Sequence, residues 1–157
     1  MQLYNPAMQV KYTANIERCV CGKAPTLSKV RREYGRQCVI DWLRVQLLDY
    51  ERYSSVKDEA TTDAAVRDEM AGLILTDFSY FKLTEVMLFF KWLKTGKYGE
   101  LYGRINPQNF FCKLRQFEQE RGVILDRYEN EKNTKRLIEA RKKAISYEDY
   151  KKKHAKE

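Results

Sequence analysis

The segment Thr84-Glu85-Val86-Met87-Leu88-Phe89-Phe90-Lys91-Trp92-Leu93-Lys94-Thr95 decides the fold of this chain. Seven of its twelve residues are large and apolar, and they recur too often to lie along one stripe of a helix. Because a helix that is apolar nearly all round has to be buried, we predict that residues 84–95 form the central helix of the core. Thr84 supplies the capping oxygen at its start, and Gly96 ends it. The apolar run is far shorter than the roughly 20 residues of a membrane span, so we expect no association with a membrane.

Amphipathic patterns on both sides of this segment predict four further helices, at about 26–35, 36–53, 62–76 and 107–121. Helix-capping signals frame them. The signals are Thr26 or Ser28, Gly35, Thr62, Asn106-Pro107 and Gly122. The predicted fold class is therefore all-α, a compact bundle of about five helices.

Three regions follow from this pattern. Residues 1–25 contain Pro6, Gly22 and Pro25, which predict an irregular N-terminal arm. Residues 26–128 form the predicted helical domain. Residues 129–157 are almost purely charged and predict an extended basic C-terminal helix or tail exposed to solvent. Because the N-terminus has neither a basic head nor an apolar run, it does not resemble a secretory signal, and we expect a cytoplasmic protein.

Catalysis is the class of function that the sequence disfavours most. The chain has one histidine, His154, and it lies in a lysine-rich tail where no packed pocket could hold it. Of the four cysteines, Cys19 and Cys21 are separated by a single residue, whereas structural zinc pairs usually have about two to four between them. Cys38 and Cys112 are isolated within helical patterns that predict buried thiols. We therefore expect reduced cysteines, no metal, no cofactor, no small-molecule substrate and no enzymatic activity.

Charge is unevenly distributed along the chain, whose formal net charge is +8. Residues 46–79 hold 3 basic and 8 acidic side chains, whereas the flanking regions are all basic. Such a distribution can turn basic faces toward a polyanion and leave the acidic block for a basic partner or for solvent. The alternative is a mixed-charge surface that only keeps the protein soluble.

The loop between the fourth and fifth predicted helices has two interpretations. Lys97, Tyr98, Tyr102 and Arg104, together with backbone N–H groups freed by glycines, could bind a phosphate. Alternatively, the glycines allow tight turns and the tyrosines pack over the aromatic core. The glycine spacing matches neither the Walker nor the dinucleotide-binding motif, so no nucleotide pocket is predicted.

Other basic residues are candidates for contacts with nucleic acid that do not depend on base sequence. The connection of about ten residues between the last two helices is too long for a helix-turn-helix motif. The candidates lie on the short helix before Gly35 and in the tail, and in the tail their alternative is a solvated helix of mixed charge. They are Arg31, Arg32, Lys132, Lys135, Arg136, Arg141, Lys142 and Lys143.

Short motifs spread over residues 25–122 carry a family resemblance. They are Pro25-Thr26-Leu27, Tyr34-Gly35, Leu83-Thr84-Glu85-Val86-Met87-Leu88-Phe89-Phe90, Gly96-Lys97-Tyr98-Gly99, Leu101-Tyr102-Gly103, Asn106-Pro107, Leu114-Arg115-Gln116-Phe117 and Glu120-Arg121. In these motifs the chain resembles a family of small helical proteins from phage-like and conjugative elements of Bacteroidetes. The resemblance implies no established activity; a mobile-element setting favours an accessory role in DNA transactions, but such elements also carry many adaptors and inhibitors. The N-terminal arm and the basic tail lie outside the resemblance.

Two hypotheses follow. In the first, the protein is a non-catalytic nucleic-acid-associated accessory protein whose basic arm, loop and tail contact the phosphates of DNA or RNA. In the second, it is an interaction adaptor or a homo-oligomer in which the aromatic loop and the acidic helix form the contacts, and the tail confers solubility.

Overall fold

A computed structural model describes residues 2–54, 62–99, 105–144 and 150–152 of the chain. These ranges contain two short 3-10 helices, seven α-helices and no extended strand. The 3-10 helices span Gln2–Tyr4 and Pro6–Met8, and the α-helices are α1 (Gln9–Tyr12), α2 (Ile16–Cys21), α3 (Leu27–Tyr34), α4 (Arg36–Tyr53), α5 (Ala64–Asp77), α6 (Leu83–Lys94) and α7 (Pro107–Lys143). The predicted all-α class is confirmed, but the described helices outnumber the five expected. None of them is long and apolar enough to cross a membrane.

α6 is the buried axis of the molecule, as its apolar run predicts. Ten of its twelve residues are buried, and α1, α2 and α4 pack around it. On a further side, the ring centroid of Phe89 lies 5.4 Å from that of Phe110 and 5.6 Å from that of Phe117, both on α7. Such aromatic contacts contribute about 0.5–1.5 kcal/mol each beyond the burial of their area. The core is therefore built by helices from both halves of the chain.

The N-terminus of α6 differs from the prediction in a way that matters for packing. The helix begins at Leu83 with Lys82 as N-cap residue, so Thr84 lies inside the first turn. The Thr84 hydroxyl donates to the carbonyl of Cys19 on α2, at 2.8 Å. The capping role is taken in part by Glu85, whose carboxylate accepts a hydrogen bond from the backbone N–H of Lys82 at 2.6 Å. Thr84 therefore joins two helices instead of capping one.

α3 and α4 follow the predicted boundaries closely and are separated by one glycine. Thr26 caps α3, because its hydroxyl accepts a hydrogen bond from the N–H of Lys29 at 3.1 Å. Gly35 ends α3 and precedes α4 with φ +88° and ψ 162°. This backbone conformation is essentially restricted to glycine. It lets the chain change direction in a single residue, so that α3 can pack back on α4.

Two glycine-to-alanine substitutions are expected to have opposite effects on stability. A Cβ atom on Gly35 would meet nothing within 4 Å, so Gly35→Ala introduces only the backbone strain and should lower the free energy of unfolding by about 1–3 kcal/mol. Gly122 also has open space around it but lies in helical backbone inside α7, so Gly122→Ala should stabilise by about 0.5–1 kcal/mol. Urea unfolding followed by circular dichroism measures both, and equal effects at the two positions would contradict the assignment of Gly35.

The N-cap of α5 lies one residue later than predicted. Asp63, not Thr62, is the N-cap, and its carboxylate accepts a hydrogen bond from the N–H of Ala65 at 2.8 Å. The N–H of Thr62 instead donates to Glu51 of α4 at 2.9 Å. Glu51 is buried and also pairs with Arg67 at 3.1 Å. This ion pair fixes α5 against α4, the helix with which it has its main contact. The predicted loop at residues 54–59 lies almost entirely outside the described residues.

The prediction of an irregular N-terminal arm over residues 1–25 is wrong for the described residues 2–25. They form the two 3-10 helices, α1 and α2, and Cys19 and Val20 belong to the core. Their backbone carbonyls are bound by side chains from distant elements: Trp42 Nε1 donates to Tyr4 at 2.7 Å, and Lys91 donates to Thr13 at 3.2 Å. Polar groups that three- and four-residue helices leave unpaired are thus satisfied by α4 and α6.

α7 is one continuous helix of 37 residues, which corrects the predicted end at Gly122. It begins as predicted, with the side chain of Asn106 accepting from the N–H of Asn109 at 3.0 Å and with Pro107 at the first position. The buried side chains Phe110, Leu114 and Phe117 hold its first half to the core. The predicted exposed C-terminal helix is the continuation of the same helix as far as Lys143. Residues 145–149 and 153–157 lie outside the described part.

Candidate functional site

The loop after α6 packs both Lys97 and Tyr98 against the protein, Tyr98 buried and Lys97 still exposed to solvent. The Lys97 ammonium lies 3.2 Å from the centroid of the Trp92 ring and pairs with Glu120 of α7. The Tyr98 ring is buried, with its centroid 6.0 Å from that of Phe89. Burial and the charge of Glu120 raise the pKa of Tyr98 above its ordinary range.

Two backbone N–H groups in the described part of this loop also donate within the protein. The N–H of Lys97 donates to Trp92 and that of Gly99 to Gly96, at 3.0 and 2.9 Å. For Lys97 and Tyr98 the geometry thus favours the packing interpretation over the phosphate-binding one. Tyr102 and Arg104, the other two candidates in the loop, lie outside the described residues.

Arg31 and Arg32 lie in the last turn of α3 and are exposed. Among the described residues, neither arginine is in an ion pair. α3 packs on α4, so these two cations belong to the α3–α4 side of the molecule. Neither arginine lines the groove that Lys132, Lys135 and Arg136 line.

The last part of α7, residues 129–143, is a fully exposed extension of the helix and is called the α7 extension below. Fifteen residues give it a length of about 22 Å. It carries six basic and three acidic side chains, and within the described residues none of the six cations is in an ion pair. They are the six tail candidates named above: Lys132, Lys135, Arg136, Arg141, Lys142 and Lys143.

The cations of the α7 extension are concentrated on one face. At about 100° per residue, five of the six fall within a sector of about 120°, and Arg141 points to the opposite side. Glu139 shares this sector, and Glu129 and Glu131 lie at its edges. The same sector, followed back along the helix, is the one that carries the core residues Phe110, Leu114 and Phe117. The face of α7 that packs on the body therefore becomes cationic where the body ends; we call it the inner face.

A groove between α2 and α7 lies where the body ends. Half-buried Tyr128 is the last aromatic residue of α7 on the inner face, and α2 packs beside it. The groove has a volume of about 300 Å³ and is lined by Glu17 of α2 and by Tyr128, Glu131, Lys132, Lys135, Arg136 and Glu139 of α7. The sequence indicated these cations but not the wall opposite them, because α2 lies in the region predicted to be irregular.

A second concave surface, lined by Arg18 instead of Glu17, lies beside α2. It is a cleft of about 400 Å³ between the first helices of the chain and the start of α6, and is called the N-terminal cleft below. Its lining is Tyr4, Lys11, Tyr12, Ala14, Asn15, Arg18, Lys23, Ala24 and Thr84. Three of these nine residues are basic and none is acidic. The adjacent residues Glu17 and Arg18 thus line two different concave surfaces from one short helix.

The cysteines form no disulfide and differ in accessibility. Cys19 is buried, Cys21 and Cys38 are half-buried, and Cys112 is exposed, which corrects the expectation of a buried thiol at position 112. Burial raises the pKa of Cys19 to about 11, and its thiol donates to the carbonyl of Tyr12 at 3.0 Å. Over the described residues, no three or more His, Cys, Asp or Glu side chains are grouped as metal ligands would be.

The fold and these surfaces define a helical protein with a basic helix that extends beyond its core. A family model described as a family of unknown function (DUF6633) matches residues 62–157, and the chain belongs to this family. The match covers α5, α6 and α7 and includes the basic tail, whereas the resemblance inferred from the sequence motifs covers residues 25–122. Comparison with curated proteins and with solved structures gives no significant match.

Proposed function

We propose that the protein binds DNA or RNA through the phosphate backbone, without reading base sequence and without catalysing a reaction on it. The observation that carries the proposal is the change of the inner face of α7 from apolar to cationic at the edge of the body. Lys132, Lys135 and Arg136 also line the groove beside α2, but Glu17, Glu131 and Glu139 line it with them, so the net positive charge belongs to the inner face and not to the groove.

The dimensions and chemistry of the inner face suit a phosphate backbone. From Lys132 to Lys143 the helix rises about 16 Å, which is about the length occupied by five phosphates on one strand of a duplex. Four of the five inner-face cations are lysines, which bind phosphate as point charges. Base recognition relies on bidentate arginine, asparagine or glutamine contacts, and Arg136 is the one such side chain among these five. The surface therefore favours backbone contacts that do not distinguish sequences.

Binding should be steeply dependent on salt. If three or four phosphates are neutralised, the affinity should fall roughly 100-fold between about 50 and 200 mM monovalent salt. Fluorescence anisotropy with labelled single- and double-stranded oligonucleotides of two unrelated sequences measures this slope. Absence of binding by micromolar protein at the lower salt concentration would refute the proposal.

Charge variants of the α7 extension test the assignment of the inner face. The triple variant Lys135→Gln, Arg136→Gln and Lys142→Gln should weaken binding and reduce the salt slope by about one for each phosphate that the protein no longer neutralises. Glu139→Gln removes a negative charge from the same face and should strengthen binding. Arg52→Gln, at an exposed arginine of α4, is the matched control for loss of one positive charge. If Arg52→Gln weakened binding as much for its one charge as the triple variant does for each of its three, only the net charge would matter. The inner face would then not be the site.

A second candidate function is favoured by the opposite face of the same helix. Val123 and Leu137 are 69% and 62% exposed and lie 14 residues apart, a spacing of two heptads. Such a helix could pair with a second copy and make the protein a homo-oligomer or an adaptor. Sedimentation over a wide concentration range tests the homo-oligomer, since a monomer at all concentrations excludes self-association.

The biological setting is proposed from the sequence resemblance alone. An accessory protein of a phage-like or conjugative element would meet DNA in both single- and double-stranded form. Binding that depends on phosphates and not on sequence suits such a role.

A further inference from the structure

The N-terminal cleft contains a stacked pair of aromatic rings. The ring centroids of Tyr4 and Tyr12 are 4.9 Å apart and their planes are inclined by 26°. Both side chains are half-buried and both line the cleft. Two rings beside an open space of about 400 Å³ provide an apolar surface against which a third planar ring can pack, in a volume typical of small-ligand sites.

Both tyrosines are fixed from outside their own helices. The carbonyl of Tyr4 accepts hydrogen bonds from Trp42 Nε1 at 2.7 Å and from Gln46 Nε2 at 3.3 Å, both on α4. The carbonyl of Tyr12 accepts from the thiol of Cys19 on α2. The backbone that carries the two stacked rings is therefore held in place before any ligand arrives, which lowers the entropic cost of binding.

Three cations line the cleft together with the stacked rings of Tyr4 and Tyr12. Lys11 precedes Tyr12 directly, and Arg18 and Lys23 come from α2 and from the turn after it. A Cβ atom on Gly22 would lie 2.2 Å from the carbonyl oxygen of Arg18, so this close turn requires glycine. Lys23 follows the turn and lines the same cleft as Arg18. All three side chains are exposed, and in the described part of the chain none of them is in an ion pair. They are available for an anion.

We propose that the N-terminal cleft binds one unpaired nucleotide, with its base against the Tyr4 and Tyr12 rings and its phosphate between Arg18, Lys11 and Lys23. A free nucleoside monophosphate and a nucleotide within a single strand present this same chemistry. A duplex does not, because its bases are stacked inside. The inference stands on the residues of the cleft. It rests on the proposed function only where the ligand is a strand. A strand bound at the inner face of α7 would have to cross α2 to reach the cleft.

Two other anionic ligands would use the cations of the cleft but not its aromatic rings. Inorganic phosphate would use the three cations but not the rings, and an acidic peptide would do the same. The combination of a flat aromatic surface with cations is the arrangement that proteins use for bases of single-stranded nucleic acid. The rings are therefore the feature that an experiment has to test.

Chemical-shift titrations of the full-length, isotope-labelled protein can locate the site. The probes are thymidine 5′-monophosphate, inorganic phosphate, a single-stranded oligothymidylate and a duplex of the same length. We expect the monophosphate to shift backbone signals of residues 11–23 and to bind about tenfold more tightly than inorganic phosphate, because stacking adds to the charge contact. Tighter binding of the oligothymidylate would identify a strand as the source, and equal binding would identify the free nucleotide.

Variants separate ring contacts from charge. Arg18→Gln and Tyr12→Leu should each weaken binding of thymidine monophosphate about tenfold. Tyr12→Phe keeps the ring and should bind as the wild type does, which shows that the ring and not the hydroxyl is required. Unchanged amide signals outside the cleft show that Tyr12→Leu is folded. Arg52→Gln is the control for charge, since Arg52 does not line the cleft.

Three results would overturn the inference: no binding of the monophosphate or the oligothymidylate, equal affinity for inorganic phosphate and the monophosphate, or unchanged binding in Tyr12→Leu. Failure of the proposed function is a separate result, in which binding of the duplex does not respond to variants of the α7 extension. Each proposal can therefore fail without the other.

Discussion

Replacement of Arg121 by methionine is expected to lower the free energy of unfolding by about 3–5 kcal/mol, because it leaves a buried carboxylate without its partner. Arg121 Nε donates to Glu85 at 2.7 Å, and Glu85 is completely buried in the first turn of α6. The guanidinium also lies over the rings of Tyr80 and Phe81, at 5.3 and 5.4 Å. The Arg121 side chain therefore neutralises the buried carboxylate of the central helix and covers the aromatic rings beside it.

The loss of unfolding free energy in Arg121→Met should depend on pH in a direction that follows from the pKa of Glu85. Burial raises the pKa of Glu85 above its ordinary value, although the hydrogen bond from Lys82 and the charge of Arg121 oppose the shift. In the variant the opposition from Arg121 is removed, so the pKa rises further. A raised carboxyl pKa means that the folded protein holds the proton more tightly, so stability falls as the pH rises from the unfolded pKa through the folded one.

Urea unfolding at about pH 5 and at about pH 7.5 should therefore show a smaller loss for Arg121→Met at the acidic pH. Arg115→Met is the matched control, since Arg115 lies on the same helix, is exposed and has a ring contact with Phe78 at 5.9 Å but no carboxylate partner among the described residues. A loss in the control as large as in Arg121→Met would show that the aliphatic packing, and not the ion pair, carries the effect.

The second large effect is expected from cutting the chain at the start of the family match. A fragment of residues 62–157 contains α6, but α1, α2 and α4, which pack around it, all lie before residue 62. α4 alone contributes six large apolar side chains to the core: Val39, Ile40, Trp42, Leu43, Leu47 and Tyr50. At about 1.5–3 kcal/mol each, their loss matches or exceeds the 5–15 kcal/mol by which domains are stable.

We therefore expect the 62–157 fragment to show no cooperative unfolding transition and poor dispersion of its amide signals. The fragment of residues 1–61 supplies the missing helices, and mixing the two should restore the native spectrum because the cut falls between α4 and α5. A stable, cooperative 62–157 fragment would contradict the assignment of α6 as an axis shared by both halves of the chain.

The parts of the fold that the sequence predicts are those in which local pattern and burial agree. α6 is apolar nearly all round, and the capping residues Thr26 and Asn106 are followed by amphipathic repeats, so the helices start where these signals indicate. Gly122 misled the prediction because glycine in a helix costs only about 1 kcal/mol, which packing before it and helix-favouring residues after it can outweigh.

The N-terminal region could not be predicted in this way. α1 and α2 are too short to show a period, and contacts from Trp42, Thr84 and Lys91 stabilise these two helices and the first 3-10 helix across 38 to 78 residues of sequence. The N-terminal cleft was missed for the same reason, since its lining is assembled by those contacts. In the α7 extension the basic residues were visible in the sequence, but the direction of the inner face became clear only once the helix proved continuous through Gly122.

Because α7 is continuous, the number of residues between the core and the cations sets the direction in which the cations point. Each residue between Tyr128 and Lys132 turns everything beyond it by about 100°, so one inserted residue would carry the charges away from α2, whereas four would bring them back to within about 40° and move them about 6 Å outward. In chains that keep this architecture, changes of length at this junction are therefore expected to come in whole helical turns, even though the side chains there are largely exposed.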